Sequence, residues 1–522
     1  MSTESPTQVV EQPYATMSKQ QIRFTLVAMI TSLVAVVSAM SGLNVAQQQL
    51  AVALGATQSG VLWIINAYTL ALAALLLPVG AIGDRWGRKT VLLTGLSVFG
   101  LATVGAVVAT SVPAMIAARS IAGAGAAMIM PVTLSIITSS FPPDERAKAI
   151  GVWAGFAGAG GMIGMFVSAF MIDVVSWRWV FALPLILVVI ALVLTSRFAP
   201  NSKEDSEHPF DVPGSILSAL AIGGIVWGLH EGPDRGWGEP ITVVGLAVGV
   251  AALLLFVWWE RRHPSPLLDM SFFRSRGLSS GTLTLVIVFS VMFGIFVVLY
   301  PFFQAVLGWS ALHSAIAMLP MGLMMMPMST IAPRIAGRVG RRNTMLAGVA
   351  IFSAGLVTMA LRASVEGGYL SVLPGLLLIG LGMGLTMTPA TEAITETLPP
   401  AKQGVASALN DTSRELGGAM GVALLGSILT AGYRSSITPK LAGLPPELAK
   451  PASQGIASAF GVASQAGDKA GLIIDAAKHS FIDGWVRSMW LGVGMAAVAF
   501  VFLAWHGPAR SEAAPVPAGE AA

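Results

Sequence analysis

The sequence predicts an all-α integral membrane protein, in which fourteen transmembrane helices form two related six-helix halves plus two inserted helices. The first observation is composition: 55% of the 522 residues are hydrophobic, only 11% are charged, and the mean hydropathy is +0.76. Soluble globular chains carry about 25% charged residues. The second is length, because the apolar residues form runs of about 20, enough to cross a hydrocarbon core as helices. The third is an internal repeat that relates the two halves.

Fourteen predicted spans follow one another along the chain, separated by polar or glycine-rich connections. The first eight are 24–43, 60–80, 91–109, 113–136, 149–170, 178–197, 212–230 and 240–259. The other six are 280–300, 313–333, 344–361, 370–393, 404–430 and 485–505. Residues 1–23 and 506–522 are predicted tails. The segment 431–484 is too long for a plain connector and is predicted as an outer loop, with a short surface helix near Lys469–Ser480.

The basic residues predict the orientation of these spans. Of the 30 Lys and Arg residues, 19 lie in the tails and connections on the side of the N-terminus, and 3 lie at the short connections on the opposite side. The other basic residues lie inside spans or in the segment 431–484. Short cytoplasmic loops are enriched in Lys and Arg. We therefore expect both termini to be cytoplasmic and the first span to be retained, since no small-residue cleavage site follows the polar N-terminal residues.

Composition also excludes several classes of site. The chain has no cysteine, which excludes disulfides, thiolate metal sites and cysteine nucleophiles. The net charge of +4 arises from loops that flank the membrane, so membrane lipid rather than nucleic acid is the expected partner. Neither a His-Glu-x-x-His nor an Asp-Asp-x-x-Asp motif is present. We predict no metal, no cofactor and no enzymatic activity.

Three segments of the first half recur in the second. GDRWGRKTVLLTGLSVFG at 83–100 is matched by AGRVGRRNTMLAGVAIFS at 336–353, and MPVTLSIITSSFPP at 130–143 by TPATEAITETLPP at 388–400. GGMIGM at 160–165 is matched by GGAMGV at 417–422. The repeat predicts an N-terminal half at 24–197, an inserted hairpin at 212–260 and a C-terminal half at 278–505. Transporters built from repeats bind their substrates between the repeats, near the midplane of the membrane.

The turn GAIGDRWGRK at 80–89 lies between two spans and carries a predicted gate. Its glycines permit a tight turn and a close approach of helix ends. Asp84 is expected to pair with the N-terminus of a neighbouring helix, while Arg85 and Arg88 flank it and Gly87 forms the turn. The alternative interpretation is a basic anchor that only fixes the orientation in the membrane.

Further motifs give the chain a family resemblance. They are Arg119 with Gly123 and Gly125, Trp177-Arg178-Trp179, WWERRHPSPLLD at 258–269 and NDTSRELGGAMG at 410–421. Together with the 80–89 turn, they make the chain resemble the fourteen-helix drug:proton antiporter family of the major facilitator superfamily. The resemblance implies that the turn helps to control the inward-closed state and that Arg119 assists proton release. It also implies a bacterial cell membrane protein that works as a monomer.

Two departures from this family bear on proton coupling. Family members commonly carry an acidic residue in span 1, a few residues before an Asn-Val-Ala sequence. Here Asn44-Val45-Ala46 is preceded by VVSAMSGL, which has no carboxylate. The antiporter motif G-P-x-x-G-G is also altered, because this chain reads GMFVSA at 164–169. Both departures fall at positions that the resemblance associates with proton coupling.

Charged residues inside the spans are the candidates for proton coupling. A charge at the centre of a transmembrane helix costs about 2.5–3.5 kcal/mol, so such residues are rare and commonly functional. The candidates are Arg119, Glu392, Asp411, Arg414 and Glu415. Glu392 and Asp411 are expected at similar depths on adjacent antiparallel helices, where they would share a proton. The alternatives are that Asp411, Arg414 and Glu415 form a self-neutralising packing network and that Arg119 serves helix packing.

The candidate substrate-binding residues are mainly aromatic. Span 9 carries an aromatic residue at steps of four, three, four and three, which places all five on one helix face. They are Phe289, Phe293, Phe296, Tyr300 and Phe303. Asn44, Trp63 and Glu392 complete the predicted set. Such a face suits lipophilic aromatic compounds or cations, although packing or lipid contact explains the same pattern.

These observations predict a proton-coupled secondary exporter of lipophilic or cationic drugs and related amphipathic compounds, working by alternating access. One alternative is an exporter of a lipid or a self-made metabolite with altered or no proton coupling, suggested by the missing acid in span 1. A second alternative, of another class, is a membrane sensor that transports nothing. The expected partners are a small lipophilic molecule, protons and membrane lipid.

Overall fold

The structure is a computed structural model, and it describes residues 16–56, 58–202, 210–399 and 402–508. Within these ranges, fourteen helices are long and apolar enough to cross a membrane. The predicted all-α membrane fold and its number of spans are thereby confirmed. Most of the two predicted tails, at 1–15 and 509–522, lies outside the described residues, as does Pro400 of the second Pro-Pro pair.

The first half contains six long helices and one short one. They are α1 (Lys19–Val45), the short α2 (Gln47–Leu54), α3 (Gln58–Trp86), α4 (Arg88–Val108), α5 (Val112–Ser140), α6 (Pro143–Val174) and α7 (Ala182–Phe198). A 3-10 turn at Trp177–Phe181 leads into α7. We call the side at which α1 begins the Lys19 side, and the side at which it ends the Val45 side.

The inserted hairpin and the second half follow. The helices are α8 (Val212–Arg235), α9 (Pro240–Glu260), α10 (Arg276–Pro301), α11 (Ala311–Val339), α12 (Arg341–Arg362), α13 (Gly368–Thr397), α14 (Gln403–Lys440), the short α15 (Pro446–Ala452) and α16 (Ile456–Ala463), and α17 (Ala470–His506). A 3-10 turn at Met270–Arg274 precedes α10, and a π-helical turn at Phe302–Val306 follows it.

Local sequence determines where several of these helices begin. The Ser18 hydroxyl accepts a hydrogen bond from the Gln21 amide at 3.2 Å, and the Asp211 carboxylate accepts one from the Gly214 amide at 2.9 Å. Such caps satisfy amides that have no partner within the helix. Gly87 and Gly340 stand at equivalent turns of the two halves with φ of 103° and 89°, a region that favours glycine. The repeat in sequence therefore produces the same turn twice.

The helix contacts repeat in the same way as the sequence. In the first half α1 packs on α5, α6 and α7, while α4 packs on α5 and α7 and α3 packs on α5. In the second half α10 packs on α13, α14 and α17, while α12 packs on α13 and α17 and α11 packs on α13. The two halves contact each other along two seams, one between α3 and α14 and the other between α11 and α6. The repeat that relates the halves converts one seam into the other. The arrangement is pseudo-twofold.

The segment 431–484 differs from its prediction as one long outer loop. Helix α14 continues to Lys440 and α17 already begins at Ala470, so residues 469–480 start the last long helix instead of forming a separate one. Polar residues interrupt the apolar pattern there, but they pair with each other: Lys440 Nζ lies 3.5 Å from an Asp483 carboxylate oxygen, and the Ser436 hydroxyl donates to Asp483 at 2.5 Å. Helix turns that lie outside the apolar region and are stabilised by contacts with each other cannot be recognised from hydropathy.

Candidate functional site

A buried carboxylate joins the two halves on the Lys19 side. Asp84, near the end of α3, accepts hydrogen bonds from the amides of Gly404 at 2.8 Å and Val405 at 3.1 Å, in the first turn of α14. Arg88 donates to the same carboxylate from Nη2 at 2.7 Å and from Nε at 3.0 Å. A helix N-terminus and a guanidinium both stabilise a negative charge. The structure thus places Asp84 against a helix N-terminus, and its gating role remains a prediction.

Glycine permits the close approach of these two helices. A Cβ atom added to Gly80 would lie 2.5 Å from the Gly404 carbonyl oxygen and 2.6 Å from Ala408 Cβ. Around the turn itself, the Arg88 amide donates to the Ser202 carbonyl oxygen at 3.0 Å, which ties the turn to the end of the first half. Arg85 is half-buried at the end of α3. The Lys19 side is therefore closed at the α3–α14 seam by tight packing and by the Asp84 contacts.

A cavity of about 1010 Å³ lies between the two halves, from the middle of the helices toward the Val45 side. On α14 its lining residues run from Arg414 to Tyr433, away from the closed contact at Gly404. Helices α1, α3, α5, α6, α8, α10 and α11 also contribute to its wall, as do residues 454–458. Seven methionine thioethers lie in this lining: Met40, Met130, Met162, Met165, Met292, Met321 and Met325. Methionine adapts to ligands of different shapes.

Four of the five predicted aromatic residues line this cavity: Phe289, Phe293, Phe296 and Tyr300. Their rings form a chain, with Phe293 lying 6.2 Å from Phe289 and 6.3 Å from Phe296 between ring centroids. The Tyr300 hydroxyl donates to Met165 Sδ at 3.0 Å, which bridges α10 and α6. These aromatic side chains form one continuous wall.

Phe303 does not belong to this wall. It is fully buried and stacks on Trp309 with ring centroids 5.6 Å apart. Regular α-helical geometry ends at Pro301, and the next turn is π-helical. A wider turn changes the angle between successive side chains, so the periodicity that predicted a common face no longer holds at this position.

Of the other predicted substrate-binding residues, Trp63 and Glu392 lie outside the cavity lining. Trp63 packs edge-on against Trp227 of α8, with centroids 5.8 Å apart, whereas its neighbours Leu62 and Asn66 line the cavity. Glu392 is not in the cavity lining. Asn44 lies at the end of α1, and its side chain is outside the described part of the structure.

The charged cluster of α14 lies at the deep end of the cavity. Arg414 Nη1 is 3.3 Å from Asp411 Oδ1, and the guanidinium lies 4.7 Å from the centroid of the Phe289 ring. Arg414 and Glu415 line the cavity, whereas Asp411 is fully buried behind them. Asp411 Oδ2 and Arg414 Nε are buried without a hydrogen-bond partner among the described residues. Unpaired buried polar atoms carry a free-energy cost, and the role of this cluster in proton coupling stays a prediction.

Glu392 pairs with a cation that the sequence did not suggest. Its Oε2 lies 3.5 Å from Arg341 Nε, and Arg341 Nη2 also binds Glu396 at 2.6 Å. The expected partnership of Glu392 with Asp411 is wrong. At this level α13 and α14 are joined instead by the Thr391 hydroxyl, which donates a hydrogen bond to Asn410 Oδ1 at 2.9 Å. Successive residues of a helix point about 100° apart, so the carboxylate next to Thr391 faces α12 instead.

The repeat contains an indication of this pair. Arg341 occupies the position of Arg88, whose acidic partner is Asp84. At the position of Asp84 the second half has Gly337, so Arg341 needs an acid from another helix. Glu392 supplies it on the Lys19 side.

Arg119 lies apart from both acidic groups. Its guanidinium lies 4.2 Å above the centroid of the Tyr68 ring, and the Tyr68 hydroxyl donates to the Val36 carbonyl oxygen at 3.1 Å. Its Nε and Nη2 are buried and have no hydrogen-bond partner in the described ranges. The cation–π contact with Tyr68 offsets only part of the free-energy cost of burying the Arg119 charge.

Sequence reasoning missed polar residues of the cavity, among them Asn66, Gln304 and His230. A histidine inside an apolar span is itself unusual, and this property would have identified His230. Asn66 of α3 and Gln304 of the π-helical turn are uncharged, and only the fold shows that they face the cavity.

Comparisons with known proteins agree with this architecture. A family model described as Major Facilitator Superfamily matches residues 27–422. The multidrug efflux pump LfrA of Mycolicibacterium smegmatis is 31% identical over 81% of this chain and 84% of its own. The tetracenomycin C resistance and export protein of Streptomyces glaucescens is 31% identical over 80% of this chain and 76% of its own. The crystal structure of the human organic anion transporter MFSD10 superposes with a TM-score of 0.61 at 13% identity, covering 92% of this chain and 99% of that one.

Proposed function

The chain belongs to the major facilitator superfamily, and from this premise we propose that it is a proton-coupled exporter of lipophilic or cationic drugs and related amphipathic compounds. It is a multi-pass membrane transporter of the bacterial efflux type. We place its Lys19 side in the cytoplasm, both termini included, and its site of action in the cell membrane. We also propose that it acts as a monomer whose halves, at 24–197 and 278–505, move relative to each other.

The observation that carries this proposal is the cavity together with the closure beneath it. A space of about 1010 Å³ lies toward the Val45 side, and the Lys19 side is closed at Asp84. With the Lys19 side in the cytoplasm, this combination is the outward-facing state of an alternating-access transporter, and it is the state from which an exporter would release its substrate. The aromatic and thioether lining suits flat or bulky apolar compounds, and Glu415 supplies a carboxylate that would attract a cation.

We propose that two groups of carboxylates divide the work of proton coupling. Asp411 and Glu415, next to Arg414, would take up a proton from the Val45 side and release the substrate. Glu392, paired with Arg341 near the cytoplasmic gate, would return a proton to the Lys19 side. Two separated sites compensate for the missing acid in span 1, and Arg119 on Tyr68 would assist the release. Substrate and proton would then compete for the carboxylate of Glu415: a cationic substrate binds while it is ionised and leaves when it takes up a proton.

Reconstituted protein tests the proposal directly. Inside-out proteoliposomes loaded with a pH gradient should accumulate a cationic dye such as ethidium, and an uncoupler should abolish the accumulation. Glu415→Gln should lower the proton-driven rate at least tenfold, while Glu447→Gln, at an exposed position of the short helix α15, should leave it near the wild-type rate. Dye movement that is independent of the pH gradient in the wild type would contradict proton coupling.

A second candidate is the export of a self-made metabolite with altered coupling. It is favoured by the departures at Asn44–Ala46 and 164–169, and by the similarity to a protein named for tetracenomycin C export. The same vesicles distinguish the two. A metabolite exporter would show counterflow of a polycyclic aromatic compound that an uncoupler does not alter.

A further inference from the structure

The inserted helix α8 packs along one seam between the two halves. Ile222 and Val226 of α8 form a buried apolar cluster with Ala73 of α3 and Ala419 of α14. Both partner helices also form the seam that is closed on the Lys19 side. Helix α8 therefore contacts the first half and the second half at once, at the place where they separate during alternating access.

Helix α9 lies behind α8 and does not reach the cavity. A Cβ atom on Gly224 would lie 2.8 Å from Gly249 Cα, so the two inserted helices are in backbone contact. None of the residues of α9 is among those that line the cavity, whereas α8 contributes Leu229, His230 and Pro233. The hairpin thus has an inner helix, which faces the substrate space, and an outer helix.

His230 is a polar side chain that faces this cavity. Among the described residues it makes no hydrogen bond and no ion pair. A Cβ atom on Gly223 would lie 3.3 Å from Ala74 Cβ, and α3 and α8 run in opposite directions, which places His230 level with Asn66 at about 1.5 Å per residue. Asn66 also lines the cavity. Two polar groups therefore stand at one level of an otherwise largely apolar wall.

We infer that α8 is the lateral wall of the substrate cavity and that His230 is a specificity-determining residue, which hydrogen-bonds a hydroxyl or carbonyl group of a lipophilic aromatic substrate. This inference rests on the proposed function. An imidazole both donates and accepts hydrogen bonds, so it recognises either group. A polar side chain without a partner in an apolar environment carries a desolvation cost, which a polar substrate group offsets. A purely structural hairpin would need no such residue at the cavity.

The first test concerns the wall and does not depend on any substrate. The chain has no cysteine, so His230→Cys introduces a single thiol. A membrane-impermeant methanethiosulfonate reagent added on the Val45 side should modify this thiol. Val226→Cys, fully buried on the same helix, should stay unmodified, and Ser458→Cys at the mouth should react rapidly. Modification at position 458 but not at 230 would overturn the assignment of α8 as a wall.

The second test concerns specificity. Tetraphenylphosphonium has no hydrogen-bonding group, and (4-hydroxyphenyl)triphenylphosphonium differs from it by one hydroxyl. The wild-type protein should export the hydroxylated cation with the higher kcat/KM. His230→Phe keeps the ring but should reduce this preference about threefold to tenfold, the loss expected for one hydrogen bond. His230→Gln should retain part of it.

Trp227→Phe is the matched control, because Trp227 lies one turn away on α8 and does not line the cavity. It should leave the preference unchanged. An equal hydroxyl preference in the wild type and in His230→Phe would overturn the role of His230. If the wild type exports neither phosphonium, the proposed function fails for lipophilic cations, and the labelling test alone then decides whether α8 is the wall.

Discussion

Asp84 illustrates how one carboxylate can hold a gate. Its side chain is buried, yet it accepts two amide hydrogen bonds from α14 and two from Arg88. Hydrogen bonds to charged groups contribute about 1.5–3 kcal/mol each. The partners from α14 belong to the other half of the molecule, so this energy is present only while the Lys19 side is closed.

Asp84→Asn should therefore shift the equilibrium toward the state that is open on the Lys19 side by at least about tenfold, because the asparagine side chain lacks the negative charge that strengthens these hydrogen bonds. Transport should slow while substrate affinity in detergent stays near that of the wild type. The shift can be followed by labelling a single cysteine at Val405. Asp144→Asn, an exposed acid in the first turn of α6, is the control. An equal loss of substrate binding in Asp84→Asn would indicate misfolding instead of gating.

Glu392 is the residue-scale candidate for proton release. Its Oε1 is buried without a hydrogen-bond partner in the described structure, and its other oxygen is 3.5 Å from Arg341. Glu392→Gln should abolish export driven by a pH gradient but permit exchange of substrate down its own gradient, because the group that returns the proton to the Lys19 side is lost. The measurement is dye flux in vesicles with and without the gradient. Proton-driven export at the wild-type rate would leave Asp411 and Glu415 as the proton site.

The sequence predicted some of these residue contacts and not others. The turn at 80–89 indicated that Asp84 meets a helix N-terminus, because glycine spacing and charge define that local geometry. The partner of Glu392 and the orientation of Asp411 depend on how α12, α13 and α14 are rotated about their axes. Rotation is fixed by packing among many side chains, which a single sequence does not specify. His230 was missed although a histidine inside an apolar span is itself a sequence signal.

At the scale of helices, the crossing of α3 and α14 depends on the absence of side chains. Gly80→Ala would bring a Cβ atom to 2.5 Å from the Gly404 carbonyl oxygen, so the backbones must move apart. Overpacking of this kind costs about 1–3 kcal/mol. We expect the gate to close less completely, with slower transport and increased labelling at the Lys19 side.

Gly337→Ala provides the matched control, since it lies at the repeat position of Asp84 and a Cβ atom there has no neighbour within 4 Å. It should leave transport unchanged. Equal transport by both alanine variants would show that the α3–α14 crossing does not limit the cycle.

The long segment before the last helix shows where hydropathy fails as a guide to elements. Helix α14 has 38 residues and α17 has 37, both longer than a span requires. Their extensions pair through Asp483, Lys440 and Ser436. The Tyr433 hydroxyl donates to the Ala452 carbonyl oxygen at 2.9 Å, which fixes the short helix α15 beside them. These turns are stabilised by specific polar contacts and not by burial in lipid. Such contacts produce no periodic pattern of apolar residues in the sequence.

For the whole molecule, the repeat is the property that the sequence predicted best. Matching segments around Gly87 and Gly340 imply matching helices, and the packing of α1 with α5, α6 and α7 recurs with α10, α13, α14 and α17. The sequence does not tell which side of the molecule is closed. That state depends on contacts between the halves, such as Asp84 with Gly404, which a single sequence must be able both to form and to release.

The orientation in the membrane is the last prediction, and it rests on the unequal distribution of basic residues. Single cysteines at Ser111, Gly238 and Ser453 should react with an impermeant maleimide added to intact cells. All three lie in connections on the Val45 side, and a Cβ atom at Gly238 has no neighbour within 4 Å. Ser18→Cys, at the exposed start of α1, should react only after permeabilisation. The Lys19 side carries most of the Lys and Arg residues, which resist translocation. Labelling of Ser18→Cys in intact cells, together with protection at Ser111, would contradict this orientation and place the Lys19 side outside the cell.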